Sequence, residues 1–264
     1  MTRLRSALSL AAASSLVLAM SACATDTKTT KSGVKVVNDG KLTVCTSLPY
    51  KPFEFKQNGQ IVGFDMDLMK EVAKANNLDV KIEITGFEGI QSGQSLNAGK
   101  CDIAAAGMTI TPEREKAIDF TDPYFDASQA LLTKDQSLDS LEALKGKSLA
   151  VMSGTTGELY AKQNAPKDVK LKSFEDLGLQ TTALKTGQVD AVIQDNGPLL
   201  DFAKSNKGTY VTAEFNTGES YGFAVQKGNN DKLLESANKV IKDLKSSGKY
   251  DTIYKKWFGT APKK

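Results

Sequence analysis

Arg114 closes a run whose residue types suit one task. The run reads Ala106-Gly107-Met108-Thr109-Ile110-Thr111-Pro112-Glu113-Arg114, directly after a stretch of small apolar residues. A free carboxylate is best held by a fork of charged donors, and a guanidinium supplies that fork bidentately. The position suits such a contact, because ligands of open α/β sheets bind just beyond the C-terminal ends of strands. The alternative is a surface arginine paired with Glu113 or Glu115, which needs no ligand. The absence of histidine from the chain excludes Ser-His-Asp and Cys-His nucleophile systems and the common histidine metal sites. No metal or cofactor is expected.

The elements that must position Arg114 follow an α/β rhythm from Lys41 onward, with short β-rich runs alternating with amphipathic stretches. Strands are predicted at Leu42–Thr46, Val80–Ile84 and Asp102–Ala106. Phe64, Leu68, Met69 and Val72 recur at helical spacing, with Asp65 and Asp67 at the end where a helix dipole favours acids. A further helix is predicted from Ile90 to Ala98, ending at Gly99. A second unit repeats the pattern: a short helix at Leu141–Leu144, a strand at Ser148–Met152, helices at Thr155–Gln163 and Leu177–Thr186, and a strand at Asp190–Ile193. That is two doubly wound lobes. Extended stretches around Ala127–Thr133 and Ser220–Gln226 lie between them, and helices at Asp231–Ser247 and Asp251–Phe258 end the chain. Two crossovers and a helical return predict a hinge with a cleft beneath it.

Arg3 and Arg5 precede an uncharged apolar stretch from Ala7 to Met20. It is shorter than the ~20 residues a membrane helix needs, so it reads as an export signal. Met20-Ser21-Ala22-Cys23 looks like a bacterial lipoprotein processing site, which would leave Cys23 as a lipid-bearing N-terminus. The rival is ordinary secretion with cleavage near Ala22 or Ala24. The polar stretch that follows reads as a tether. The expected partition is a signal peptide (1–22), a flexible tether (23–40), the first part of lobe one (41–126), lobe two with its hinges (127–219) and the return to lobe one with the C-terminal helices (220–264). After removal of residues 1–22 the chain carries 32 basic and 31 acidic residues. No basic block marks a nucleic-acid partner. Cys45 and Cys101 could pair in an oxidising compartment. Placed at different heights on parallel strands, they are expected instead as two buried free thiols.

The run ending at Arg114 continues through Ala117-Ile118-Asp119-Phe120-Thr121 and Pro123-Tyr124-Phe125. With Thr46-Ser47-Leu48-Pro49-Tyr50-Lys51-Pro52-Phe53-Glu54-Phe55, Gly63-Phe64-Asp65-Met66-Asp67-Leu68 and the ending Tyr254-Lys255-Lys256-Trp257-Phe258-Gly259, it resembles the polar amino-acid-binding proteins of ABC importers, family 3 of the extracellular solute-binding proteins. The glutamine-binding protein is close in pattern. The similarity runs from about Leu42 to Gly259. It implies a two-lobed type II periplasmic-binding-protein fold with a ligand cleft between lobes joined by two hinge strands. By the same resemblance, Arg114 holds an α-carboxylate with the backbone N–H groups of Thr109 and Thr156. Asp195 takes the α-ammonium, with the Thr109 hydroxyl and the Gly107 carbonyl completing its shell. Tyr50 and Phe87 match aromatic positions that sandwich the ligand side chain. Selectivity positions differ from known patterns: Ser47 stands where glutamine- and cation-selective relatives place an aspartate. Met152 replaces a lysine and Gln194 a histidine of the glutamine-binding protein.

The function expected is therefore capture of a polar α-amino acid outside the cytoplasm and its delivery to the permease subunits of an ABC transporter. The protein is expected to be monomeric, non-enzymatic and held by a lipid on Cys23 to the outer face of a Gram-positive membrane or as a periplasmic lipoprotein. Cyclohexadienyl dehydratases resemble these receptors and are the enzymatic rival, but that chemistry needs a positioned general acid. A ligand-sensing lipoprotein is the other rival. It would need a transmembrane helix and a signalling module, which the sequence does not display.

Overall fold

The computed structural model describes residues 27–262. Lys41–Thr46 is apolar or small from Leu42 onward and buried along nearly its whole length, as a strand covered on both faces of a parallel sheet must be. It pairs in parallel with Asp79–Ile84 on one side and Ile103–Ala104 on the other. Ala224–Gln226 and Ile118–Phe120 complete this five-stranded sheet. The second sheet repeats the plan. Ser148–Met152 lies between Lys170–Phe174 and Ala191–Asp195, followed by Phe125–Thr133 and Tyr210–Tyr221. Both lobes thus place their first parallel strand between their second and third.

Phe125–Thr133 and Tyr210–Tyr221 pair antiparallel, as Tyr221 with Phe125 and Phe215 with Gln129. They are the two crossovers between the lobes. Phe53, whose ring meets Phe125 at 4.8 Å, Tyr221 at 5.2 Å and Phe258 at 5.4 Å, clamps both at their base. The helix Phe64–Ala75 starts at Gly63, and no other residue fits there: φ is 145° and a Cβ would lie 1.9 Å from the Phe53 carbonyl oxygen. Leu233, Ala237, Ile241 and Leu244 turn the helix Asp231–Ser246 inward, and it packs on Phe64–Ala75 before Lys249–Phe258 ends the fold.

The structure departs from the sequence expectations in several places. The helix expected at Ile90–Ala98 is two short ones, Phe87–Gln91 and Gln94–Asn97, because Gly93 takes a left-handed φ of 76° between them. The strand expected at Asp102–Ala106 is only Ile103–Ala104. Cys101 lies ahead of that strand, and its Cα is 5.6 Å from that of Cys45 in a disulfide. The two cysteines are not free thiols. Part of the expected tether is packed: Lys28–Thr29 pairs with Lys35–Val36, Val34 and Val36 are buried, and Asp102 Oδ1 accepts the Val37 N–H at 2.7 Å. Cys23 and the apolar stretch before it lie outside the described residues. Among the described residues no helix is long and apolar enough to cross a membrane.

Candidate functional site

All ten residues expected at a ligand site line one cavity between the lobes: Ser47, Tyr50, Phe87, Gly107, Thr109, Arg114, Met152, Thr156, Gln194 and Asp195. Each residue comes from a strand end or a helix start. Ser47 and Tyr50 follow Lys41–Thr46, and Gly107 and Thr109 follow Ile103–Ala104. Arg114 sits in the short helix Pro112–Glu115, and its own N–H donates to the Thr111 hydroxyl that caps the helix. Thr156 opens the helix Thr156–Asn164 behind its cap Thr155. Asp195 ends the strand Ala191–Asp195 and is the N-cap residue of the helix Asn196–Ser205 that follows.

Arg114 is 5% exposed. Its Nη1 donates to the Thr109 carbonyl at 2.7 Å, and its Nη2 crosses to the Gly154 carbonyl of lobe two at 3.0 Å. The guanidinium lies over the Phe87 ring, 5.2 Å from its centre, a cation–π contact. Phe87 thus fixes the arginine as well as walling the cavity. A guanidinium has five N–H donors; two bonds to backbone carbonyls hold the fork, and donors are left over for an anion. Burial pulls its pKa down, while the charges of Asp195 and Glu219 oppose that shift.

Asp195 is held by three donors. Tyr50 Oη and Tyr221 Oη donate to its Oδ2 at 2.7 and 2.5 Å, and Gln129 Nε2 donates to its Oδ1 at 2.5 Å. Tyr50 belongs to lobe one, so this bond also spans the cleft. Burial raises the Asp195 pKa to about 6, the neighbouring Glu219 charge adds to the rise, and the tyrosine and glutamine donors hold it back. Gly107 supplies room for this arrangement: at φ 50°, a Cβ there would meet the Tyr50 ring at 2.6 Å. Its N–H donates to Asp65 Oδ2 at 3.1 Å, which also accepts the Tyr124 hydroxyl at 2.8 Å. Asp65 is raised to about 6 by burial. The buried Glu54 beside it lies well above the ordinary carboxylate range, by burial and then by the Asp65 charge. The Met152 sulfur and Gln194 Nε2 are 3.5 Å apart, and Asp176 and Leu177 line the same cavity.

Sequence reasoning missed Gln129, Tyr221, Glu219 and Asp176. Gln129 carried a signal, being the one amide in the apolar crossover Ala127–Thr133. The others look like ordinary surface residues until the strands are paired. Among the described residues no group of three or more His, Cys, Asp or Glu could hold a metal ion.

The profile of the bacterial extracellular solute-binding proteins, family 3, matches residues 42–260. The ABC transporter glutamine-binding protein GlnH of Bacillus subtilis (strain 168) is 40% identical over 211 residues, covering 78% of this chain and 76% of that protein. Among solved structures, an ancestral arginine-binding protein bound to glutamine superposes with a TM-score of 0.79 at 45% identity, covering 84% of this chain and 99% of that one. An ancestral amino acid-binding protein described as a precursor of cyclohexadienyl dehydratase gives a TM-score of 0.77 at 40% identity, covering 83% of this chain and 96% of that one.

Proposed function

The chain belongs to the bacterial extracellular solute-binding proteins, family 3, and from that premise we propose that it captures a free polar α-amino acid between its lobes and delivers it to an ABC transporter permease. One observation carries the reading: a buried arginine from lobe one and a buried carboxylate from lobe two line the same cavity. A zwitterion answers both charges at once. Arg114, with the N–H groups of Thr109 and Thr156, takes the α-carboxylate; Asp195, with the Thr109 hydroxyl and the Gly107 carbonyl, takes the α-ammonium. Each contact replaces water around a charged group with fixed partners, and losing one member of such a pair costs about 2–5 kcal/mol. Because the two halves of the clamp belong to different lobes, the ligand draws the lobes together.

The ligand side chain runs between Tyr50 and Phe87 toward Ser47, Met152, Gln194 and Asp176. Those groups offer more acceptors than donors, which suits a side chain ending in N–H groups. The relatives named above bind glutamine or arginine by their own descriptions, and both ligands end that way. The protein acts as a receptor and not as a dehydratase. With a pKa of about 6, Asp195 is largely ionised at neutral pH and is surrounded by donors, so it is built to accept. A general acid would need the opposite. Cys23 carries the lipid that keeps the protein at the membrane surface, where acyl burial at ~0.8 kcal/mol per CH₂ holds it.

A thermal-shift screen of the twenty amino acids on the purified chain tests the proposal. A ligand at about 100 times its Kd adds about 2.7 kcal/mol of stability and raises the melting temperature. No shift with any of them would remove the amino-acid assignment.

A further inference from the structure

Glu219 was not among the residues expected at the site, yet one of its oxygens collects donors from every part of the hinge region. Its Oε2 accepts from Thr109 Oγ1 of lobe one at 3.1 Å and from Thr156 Oγ1 of lobe two at 3.0 Å. It also accepts from Gln129 Nε2 of the other crossover at 3.0 Å. The strand is shaped to bring it there. The pairing of the two crossovers shifts register between Phe215 and Glu219, and such irregularities bend a strand and re-aim a side chain. A carboxylate oxygen can only accept, so both threonine hydroxyls must spend their protons on Glu219. Thr156 Oγ1 in turn accepts from Gln129 Nε2 at 3.2 Å, whereas the Thr109 lone pairs are left for the cavity it lines.

We infer that Glu219 is a positioning residue: it latches the two lobes through Thr109 and Thr156 and orients the Thr109 hydroxyl as an acceptor for the ligand's ammonium. The inference rests on the function proposed above. It differs from a purely structural role because Glu219 also sets the charge around Asp195. Asp195 is faced by Tyr50, Tyr221 and Gln129 through hydrogen bonds and by Glu219 and Arg114 through charge. Only Glu219 among them is a like charge.

The test compares Glu219→Ala and Glu219→Gln with the unmodified chain, by calorimetry between pH 5 and 8 with the best amino acid from the screen. Glu219→Ala strands two part-buried hydroxyl donors and is expected to weaken binding about tenfold or more. Glu219→Gln keeps an acceptor oxygen and recovers most of that loss. It removes the like charge beside Asp195, so the pH at which binding fails on the acid side moves down. Glu219→Ala binding within about twofold of the unmodified chain overturns the inference. If the alanine variant does not fold, the glutamine variant decides, and an acid limb coincident with that of the unmodified chain overturns it. Failure of the unmodified chain to bind any amino acid is a separate outcome, which refutes the proposed function and the inference with it.

Discussion

Acidification should pull ligand affinity and ligand-free stability in opposite directions, with Asp195 responsible for both. Burial and the Glu219 charge raise its pKa from an ordinary 3.8 to about 6. An α-ammonium against the carboxylate favours the ionised form, so the bound pKa lies below the free one. Between the two values each unit of acid weakens binding about tenfold. From pH 7.5 to pH 5 the dissociation constant should therefore rise about tenfold, and binding near pH 6 should release a fraction of a proton to the buffer. The ligand-free protein behaves the other way. A carboxyl whose folded-state pKa is raised contributes stability that is complete below its unfolded value and is lost as pH rises through the folded value. For Asp195 that loss is about 3 kcal/mol. Asp65 and Asp102, also held at about 6 by burial, act in the same sense. Titration calorimetry in two buffers of different ionisation heat, alongside urea melts of the ligand-free chain, reads both quantities. Asp195→Asn should bind more weakly but with a flat pH profile. A dissociation constant unchanged from pH 7.5 to pH 5 in the unmodified chain would refute the reasoning.

Three further outcomes are expected. Gly107→Ala forces a Cβ within 2.6 Å of the Tyr50 ring at φ 50°, and should cost about 1–3 kcal/mol in a urea melt while weakening ligand binding. Reducing the Cys45–Cys101 disulfide, which spans 56 residues, should lower stability by about 4 kcal/mol; equal melting temperatures with and without reductant would count against a closed bridge. Cys23→Ser should abolish metabolic labelling with palmitate and release the protein from membranes, and a mature N-terminus found at any other residue would disprove the anchor.

The parts of this protein legible in its sequence are those whose chemistry is local. Alternating strand and helix patterns gave the two doubly wound lobes, because each parallel strand and its covering helix carry their own periodicity. Arg114 was legible as a candidate from a guanidinium just past a strand end, and Asp195 only through the family resemblance. Glu219 and Tyr221 were not, because their meaning depends on pairing with Ala127 and Phe125, far away in the chain. The disulfide was misread for a related reason. The strand expected at Asp102–Ala106 is only Ile103–Ala104, and the height assigned to Cys101 relative to Cys45 was wrong. Val34 and Val36 sit in a polar stretch that shows no periodicity, and only the docking of that stretch against Asp102 and Asn230 reveals them as core.

The most direct measurement is calorimetry of the best amino acid against its decarboxylated and N-acetylated analogues, on the unmodified chain, Arg114→Ala and Asp195→Ala. If Arg114 and Asp195 grip the two charged ends, each substitution weakens the parent by at least about 30-fold. The decarboxylated analogue should then lose little more on Arg114→Ala, and the N-acetylated one little more on Asp195→Ala. Analogues that bind the unmodified chain as tightly as the parent, or an Arg114→Ala variant that binds normally, would contradict the clamp and leave the cleft to a different class of ligand.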